Sequence, residues 1–168
     1  MKMFKSLCIV FLVMFASCAT SQNLSTDKIQ VKWTADIVLG SGYTTTQTFT
    51  VDKSNFLICY NSTTGKTQIW NLDKGGSPLY DKTTHKGWSS MLFFKLNNIT
   101  YLFTYKEATG EVIFYKMSSA GISSRVGEYT WSKNWNGFDV IYNNNNNKPV
   151  IIMTRASDGR AKFFEPYF

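Results

Sequence analysis

The sequence predicts an all-β protein built from three four-stranded repeats. Three observations carry this prediction: many aromatic and β-branched residues, short alternating apolar runs bounded by turn residues, and three near-copies of one segment. Aromatic residues make up 16% of the 168 residues, and such side chains suit the half-buried surface of a sheet. A chain of this length has room for one domain with a hydrophobic core.

The repeat is clearest in its middle copy, which begins at Gly87 with the text GWSSMLFFKLNNITYLFTYKEATGEVIFYKM. Three segments align on a turn glycine and on the apolar residues around it: Asn55 to Leu72, Thr100 to Met117 and Pro149 to Pro166. Their glycines are Gly65, Gly110 and Gly159, so the offsets are 45 and 49 residues. At the start of each copy we align Gly42-Tyr43, Gly87-Trp88 and Gly137-Phe138. Spacing of this kind is typical of β-repeat architectures.

The strands of the middle copy follow from alternation and turn chemistry. We expect strands over Ser90–Leu96, Ile99–Lys106, Glu111–Ser118 and Val126–Ser132. The pair Asn97-Asn98 separates the first two, and Asn tolerates the left-handed backbone of a tight turn.

The two ends of the chain predict closure. The residues Ile29–Leu39 read as a strand placed before the first copy, whereas the third copy stops at Phe168 without a fourth strand. We expect this strand to pair beside Ala161–Pro166 and so remove an exposed sheet edge. The preferred closed fold is β-trefoil-like. The alternative is a set of β-propeller blades completed by oligomerisation, because closed propellers usually have four to eight blades.

The N-terminus predicts secretion. Lys2 and Lys5 precede an apolar run of nine residues, Leu7–Phe15, which is shorter than the roughly 20 residues needed to span a bilayer. We therefore expect a signal at 1–21, a polar tether at 22–28 and a single domain at 29–168.

Two fates of the signal stay open. Cleavage between Ser17 and Gln22 would release the chain. Alternatively, Phe15-Ala16-Ser17-Cys18 resembles a bacterial lipobox, and Cys18 would then carry a lipid anchor on the outer surface or in the periplasm. Cys59 is left as the single thiol of the domain, so a disulfide framework is excluded and Cys59 is expected to be a small buried residue.

Charge and composition give no sign of catalysis. The formal net charge is +7, or about +5 without Lys2 and Lys5, but the basic residues form no cluster of the kind that nucleic acids require. The one histidine, His85, has no metal-ligand partner at a suitable spacing, so we expect neither a metal nor a cofactor. A hydrolase built on Glu107 and Glu111 is the least favoured reading, because an exposed hairpin does not raise a carboxyl pKa.

Binding is better supported, since an aromatic ring beside polar groups is a platform for a sugar. Trp135 is the first candidate, because it lies in a loop (133–136) that has no counterpart in the other copies, and its ring is therefore expected to be exposed. The other candidates recur between copies, for which packing in the core is the competing explanation. They are Trp88, Tyr60, Tyr105 and Trp131.

Asn61 and Asn98 begin Asn-X-Thr acceptor triplets for glycosylation, close to predicted hairpin loops. Five consecutive asparagines, Asn143–Asn147, predict an exposed polar hairpin.

The text from Tyr80 to Tyr115, continuing to Phe138, resembles tandem repeats of about 48 residues in secreted bacterial proteins. The recurring residues of those repeats are, in order, Gly-Trp, Phe, Tyr-Leu, Tyr and Thr-Gly. Tachylectin-like and tectonin modules are similar repeat proteins. This resemblance implies a lectin-like, non-catalytic module that binds carbohydrate or another envelope component. A structural or protein-interaction module, with an oligomer possible, is the alternative.

Overall fold

The computed structural model describes residue 39 and residues 41–168, and these form eleven strands in three antiparallel sheets. The first sheet contains β1 (Thr45–Val51), β2 (Ser54–Tyr60), β3 (Lys66–Asn71) and β4 (Tyr80–Thr83). The second contains β5 (Ser90–Leu96), β6 (Ile99–Lys106), β7 (Glu111–Ser118) and β8 (Gly121–Thr130). The third contains β9 (Gly137–Tyr142), β10 (Pro149–Arg155) and β11 (Arg160–Phe164). Within this part of the chain no helix is long and apolar enough to cross a membrane.

Each sheet is a meander in which every strand pairs with the next one along the chain. The all-β class, the three repeats and the first three strands of the middle copy are therefore confirmed. The fourth strand is longer than predicted, because β8 starts at Gly121 and already pairs with β7 there, through Ser118. Two register shifts in this pairing interrupt the alternation from which the strand was predicted.

The second sheet lies between the other two and buries both of its faces. On one face Met91, Leu102 and Ile113 join the core of the first sheet, where Phe49 stacks on Phe93 with ring centroids 4.2 Å apart. The opposite face contributes to a second core, shared with the third sheet. That core contains Phe94, Leu96, Tyr101, Phe103, Tyr105, Val112, Phe114, Trp135, Ile151 and Met153. Six of the eight residues of β6 are buried, and only its two end residues are half-buried.

Closure of the chain is not observed within the described residues. The third sheet has three strands, with β11 at its edge, and the sheets do not join into a ring. The predicted strand Ile29–Leu39 lies outside the described residues except for Leu39, which is not in a strand. Its pairing with the last copy therefore stays a prediction, as do the signal and the tether.

Backbone hydrogen bonds correct the alignment of the third copy. The amides of Thr44 and Ser89 donate to the carbonyls of Tyr60 and Tyr105, at 2.8 and 2.9 Å. In the third copy Asn136 donates to Thr154, at 3.1 Å.

The counterpart of Gly42-Tyr43 and Gly87-Trp88 is therefore Asn134-Trp135, and the alignment with Gly137-Phe138 was wrong. Asn134 has a φ of 66°, so it adopts the left-handed conformation that glycine has in the other copies.

The glycines of the β2–β3 and β6–β7 turns are required by close contact with the chain that leads to the next sheet. A Cβ on Gly65 would lie 2.4 Å from the carbonyl oxygen of Thr84, and one on Gly110 would lie 2.0 Å from that of Trp131. Both residues have positive φ, 77° and 79°. Gly159 is the counterpart in the last copy, with a φ of 68°, but no atom of the described chain lies within 4 Å of its Cβ position.

We therefore expect Gly110→Ala to destabilise the protein much more than Gly159→Ala. Both changes place alanine in the left-handed region, at a cost of about 1 kcal/mol, but only the first also drives a methyl group into a backbone carbonyl. The free energy of unfolding from urea titration should fall by about 3 kcal/mol or more for Gly110→Ala and by about 1 kcal/mol for Gly159→Ala. Equal losses would show that the close contact at Gly110 has no energetic weight.

Candidate functional site

Tyr60 and Tyr105 are both completely buried, and contact of either ring with a ligand stays a prediction. The hydroxyl of Tyr60 donates to the carbonyl of His85 at 2.9 Å and accepts from the amide of Trp88 at 3.1 Å. The hydroxyl of Tyr105 makes the corresponding bonds to Ser132 and Trp135, at 2.9 and 3.3 Å. Burial raises the pKa of both phenols, so each stays neutral and joins its own sheet to the segment that enters the next.

Trp88 and Trp135 are also buried, with 3% and 1% of their surface exposed. The expectation that Trp135 is exposed was wrong, because this residue is the repeat counterpart of Trp88, whereas the other three residues of its loop are exposed. Its indole nitrogen donates to the Ser132 hydroxyl at 2.7 Å, and the guanidinium of Arg155 lies 5.0 Å from its ring centre. Contact of either indole with a ligand stays a prediction, and in the free chain both are core residues.

Trp131 is the one aromatic candidate that is only half-buried. It stacks on Phe164 with ring centroids 4.3 Å apart and borders a hollow of about 150 Å³ beside the C-terminal residues Tyr167 and Phe168. The hollow is smaller than the 300 Å³ or more that ligand pockets usually have.

The two predicted glycosylation acceptors, Asn61 and Asn98, differ in the hydrogen bonds of their side chains. The side-chain amide of Asn61 donates to the carbonyl of Gly42, and its oxygen accepts from the amide of Thr64 at 2.8 Å. Asn98 is exposed at the β5–β6 turn, and its side chain has no hydrogen-bond partner in the described part of the chain. A glycan at Asn98 would therefore disturb fewer contacts than one at Asn61. Cys18 lies outside the described residues, and Cys59 is buried as expected, which raises the pKa of its thiol.

A cleft of about 700 Å³ is lined by residues from all three sheets. It lies where the β1–β2, β5–β6 and β9–β10 hairpins approach each other, so residues far apart in sequence line it. The lining consists of Thr48, Phe49, Thr50, Asn55, Phe93, Phe94, Lys95, Asn97, Asn98, Thr100, Tyr142, Asn146 and Asn147. We call this the hairpin cleft.

Hydrogen bonds between sheets hold the walls of the hairpin cleft in place. The Thr100 hydroxyl donates to the carbonyl of Thr50 at 2.6 Å and joins the second sheet to the first. The amide of Lys95 donates to the Tyr142 hydroxyl at 2.8 Å and joins the second sheet to the third.

The β9–β10 loop is ordered by its own hydrogen bonds, since the Asn143 carbonyl accepts from the amide of Asn147 at 2.7 Å. Four of the five asparagines are exposed, as predicted, and Asn143 is half-buried. The last two of the five line the cleft.

The polar groups of the cleft are mostly uncharged. Asn97, Asn98 and Asn147 have positive φ, 52°, 63° and 53°, and their exposed side chains make no hydrogen bond to other described residues. Lys95 is the one charged residue in the lining. Amide and hydroxyl groups beside a half-buried phenyl ring (Phe93) can bind a neutral, hydroxyl-rich ligand, and Lys95 can add one contact to an anionic group.

The described residues that line the cleft include no Asp, Glu, His or Cys. His85 is an exposed residue whose Nδ1 lies 3.8 Å from a carboxylate oxygen of Glu111, and neither residue lines the cleft. Among the described residues no group of three or more His, Cys, Asp or Glu side chains is placed to hold a metal ion. The carboxylate of Asp73 accepts hydrogen bonds from the backbone and side-chain amides of Asn55, which lines the cleft. These bonds lower the pKa of Asp73.

The hairpin cleft was not predicted from the sequence. Its signal was the concentration of Asn and Thr at the tips of three hairpins, but nothing local shows that these tips meet. The repeat drew attention to the recurring aromatic residues, which are the core. Comparison with models of protein families and with curated proteins gives no match to this chain.

We expect Tyr105→Phe to destabilise the protein by about 2 kcal/mol, because it leaves the buried amide of Trp135 and the carbonyl of Ser132 without their partner. Chemical denaturation followed by tryptophan fluorescence measures this loss. Tyr129→Phe is the matched control, because Tyr129 is 50% exposed, and it should change stability by less than 0.5 kcal/mol. Similar results for the two variants would mean that the Tyr105 hydroxyl does not join the sheets.

Proposed function

We propose that this chain is a secreted or surface-anchored, non-catalytic module that binds carbohydrate of the cell envelope in the hairpin cleft. The observation that carries the proposal is the composition of the cleft: three asparagine amides without partners in the described chain, threonine hydroxyls, and the ring of Phe93 in about 700 Å³. Sugars present hydroxyl groups along their edges and apolar C–H faces, and this lining offers a counterpart to both.

The backbone of the cleft favours binding because it is already formed. Asn97 and Asn98 complete a tight hairpin turn, and the sheets behind it are joined by the hydrogen bonds of Thr100 and Lys95. A ligand would therefore cause little loss of conformational entropy in the protein. The N-terminal signal and the resemblance to secreted lectin-like repeats support the same function and a location outside the cytoplasm.

For the architecture we propose three propeller-like blades rather than a β-trefoil. Each repeat forms its own meander, and the middle meander buries one face against each neighbour. Successive blades of a propeller pack in this way. This arrangement also brings the hairpins after β1, β5 and β9 to one end, as the lining of the cleft requires.

The test is binding of the full chain to a glycan array that includes bacterial envelope polysaccharides, followed by calorimetry with the best ligand. The variant Asn97→Gly/Asn98→Gly keeps the left-handed turn, because glycine adopts it freely, but removes both amides. We expect it to weaken binding about 30-fold, since each lost hydrogen bond contributes about 1 kcal/mol.

Asp52→Gly is the control. Asp52 has a φ of 54° in the equivalent turn of the first sheet and does not line the cleft, so its variant should bind like the wild type. The proposal fails if the wild-type chain binds no glycan, or if the double glycine variant folds and binds with unchanged affinity.

A further inference from the structure

The third sheet exposes an apolar face that no other sheet of the described chain covers. This face, which we call the third-sheet face, alternates with the residues that pack on the second sheet. Its apolar residues are Ile141, Val150, Ile152, Ala161 and Phe163, and the register places Gly137, Thr154 and the exposed Asp139 on the same face. Phe163 is 64% exposed and Ile141 is 48% exposed, and they are among the most exposed large apolar residues described.

The equivalent positions in the other two sheets indicate what packs on such a face. The counterparts of Ile141 are Phe94 in the second sheet and Phe49 in the first, which are 2% and 6% exposed. The counterparts of Phe163 are Phe114 and Ile69, which are 4% and 0% exposed. In both sheets these positions pack against the following sheet along the chain. The third-sheet face is thus the same packing surface, and no described sheet follows it.

The first sheet has the complementary surface. Leu102 and Tyr115 of the second sheet, and Ile151 and Phe164 of the third, pack on the sheet that precedes them. Their counterparts in the first sheet are Leu57 and Trp70, which lie side by side in the register. Both are half-buried, and the Trp70 indole nitrogen is buried without a hydrogen-bond partner in the described chain. No other described sheet packs on this surface, which we call the first-sheet face.

The two surfaces of one chain cannot meet each other in a row of three sheets. The second sheet separates the first from the third and has both faces occupied, and closed rings of blades usually need at least four. The three described sheets of each of two chains supply six sheets, which lies within the usual range.

We propose that two copies of this chain assemble head to tail, with the third-sheet face of each copy packed on the first-sheet face of its partner. This inference depends on the repeat and not on what the hairpin cleft binds. Because each contact joins two different surfaces, the assembly must either close into a ring or continue as a filament. With six sheets the ring closes at two copies.

Gly159 fits the same arrangement. The carbonyls of Thr84 and Trp131, which lie beside Gly65 and Gly110, belong to residues four positions before Trp88 and Trp135. The corresponding residue before Tyr43 is Leu39. In the proposed dimer the partner's Leu39 would lie beside Gly159 and the edge strand β11, so Gly159→Ala should also weaken the dimer, and its small effect on the free energy of unfolding is expected for the dissociated monomer.

The first experiment measures the mass of the full chain by sedimentation and light scattering. We expect a dimer for the wild type. Phe163→Glu should weaken the dimer at least about 100-fold, because it would bury an unpaired charge. Tyr167→Glu is the control, since Tyr167 is 88% exposed and lies outside the third-sheet face, and it should dimerise like the wild type.

The second experiment tests the head-to-tail order. Leu57→Glu changes only the first-sheet face, so it should also give monomers, and circular dichroism would verify that each variant is folded. A mixture of the Phe163→Glu and Leu57→Glu chains retains one intact pair of faces, so mixed dimers should form. A wild-type monomer, a folded Phe163→Glu dimer or a folded Leu57→Glu dimer of unchanged affinity would each overturn the proposal.

Discussion

The rest of the structure depends on the contacts where the chain passes from one sheet to the next, at Gly65 and Tyr60 and again at Gly110 and Tyr105. We call each of these places a joint. At each joint the chain leaving one sheet passes over a turn glycine, and its backbone amide then meets a buried tyrosine hydroxyl. Gly65 and Gly110 leave room for the passing carbonyls, and Tyr60 and Tyr105 satisfy amide and carbonyl groups that would otherwise be buried without partners. Since an unpaired buried amide costs 1–3 kcal/mol, this geometry is fixed.

The joint explains why the repeats differ at their ends. The third copy has Thr154 where the others have tyrosine, and no described segment follows it whose amide would need a hydroxyl. The faces differ in the same way: positions that hold buried Phe94 and Phe114 in the second sheet hold exposed Ile141 and Phe163 in the third. The apolar character is kept although no described sheet covers these two residues.

The sequence pattern correctly predicted the features that depend on interactions within a single hairpin. Alternation and turn residues gave β5, β6 and β7 their correct ends, because each hairpin satisfies its own backbone hydrogen bonds. Trp135 was misplaced because the left-handed residue before it is Asn134 and not glycine, and a glycine three residues later offered a false match. The cleft was missed for a different reason: its walls come from hairpins about 45 residues apart in sequence, and only packing of the sheets brings them together.

The residue type at the hairpin tips is less constrained than the residue type at the joints between sheets. A tip needs residues that tolerate positive φ, and asparagine meets this need while also supplying an amide donor and acceptor. Asn97, Asn98 and Asn147 therefore serve the turn and the cleft together. The recurring aromatics have no such freedom, since Trp88 and Trp135 are enclosed by the sheets that they join. In a repeat of this kind the residues that differ between copies are better candidates for ligand contact than those that recur.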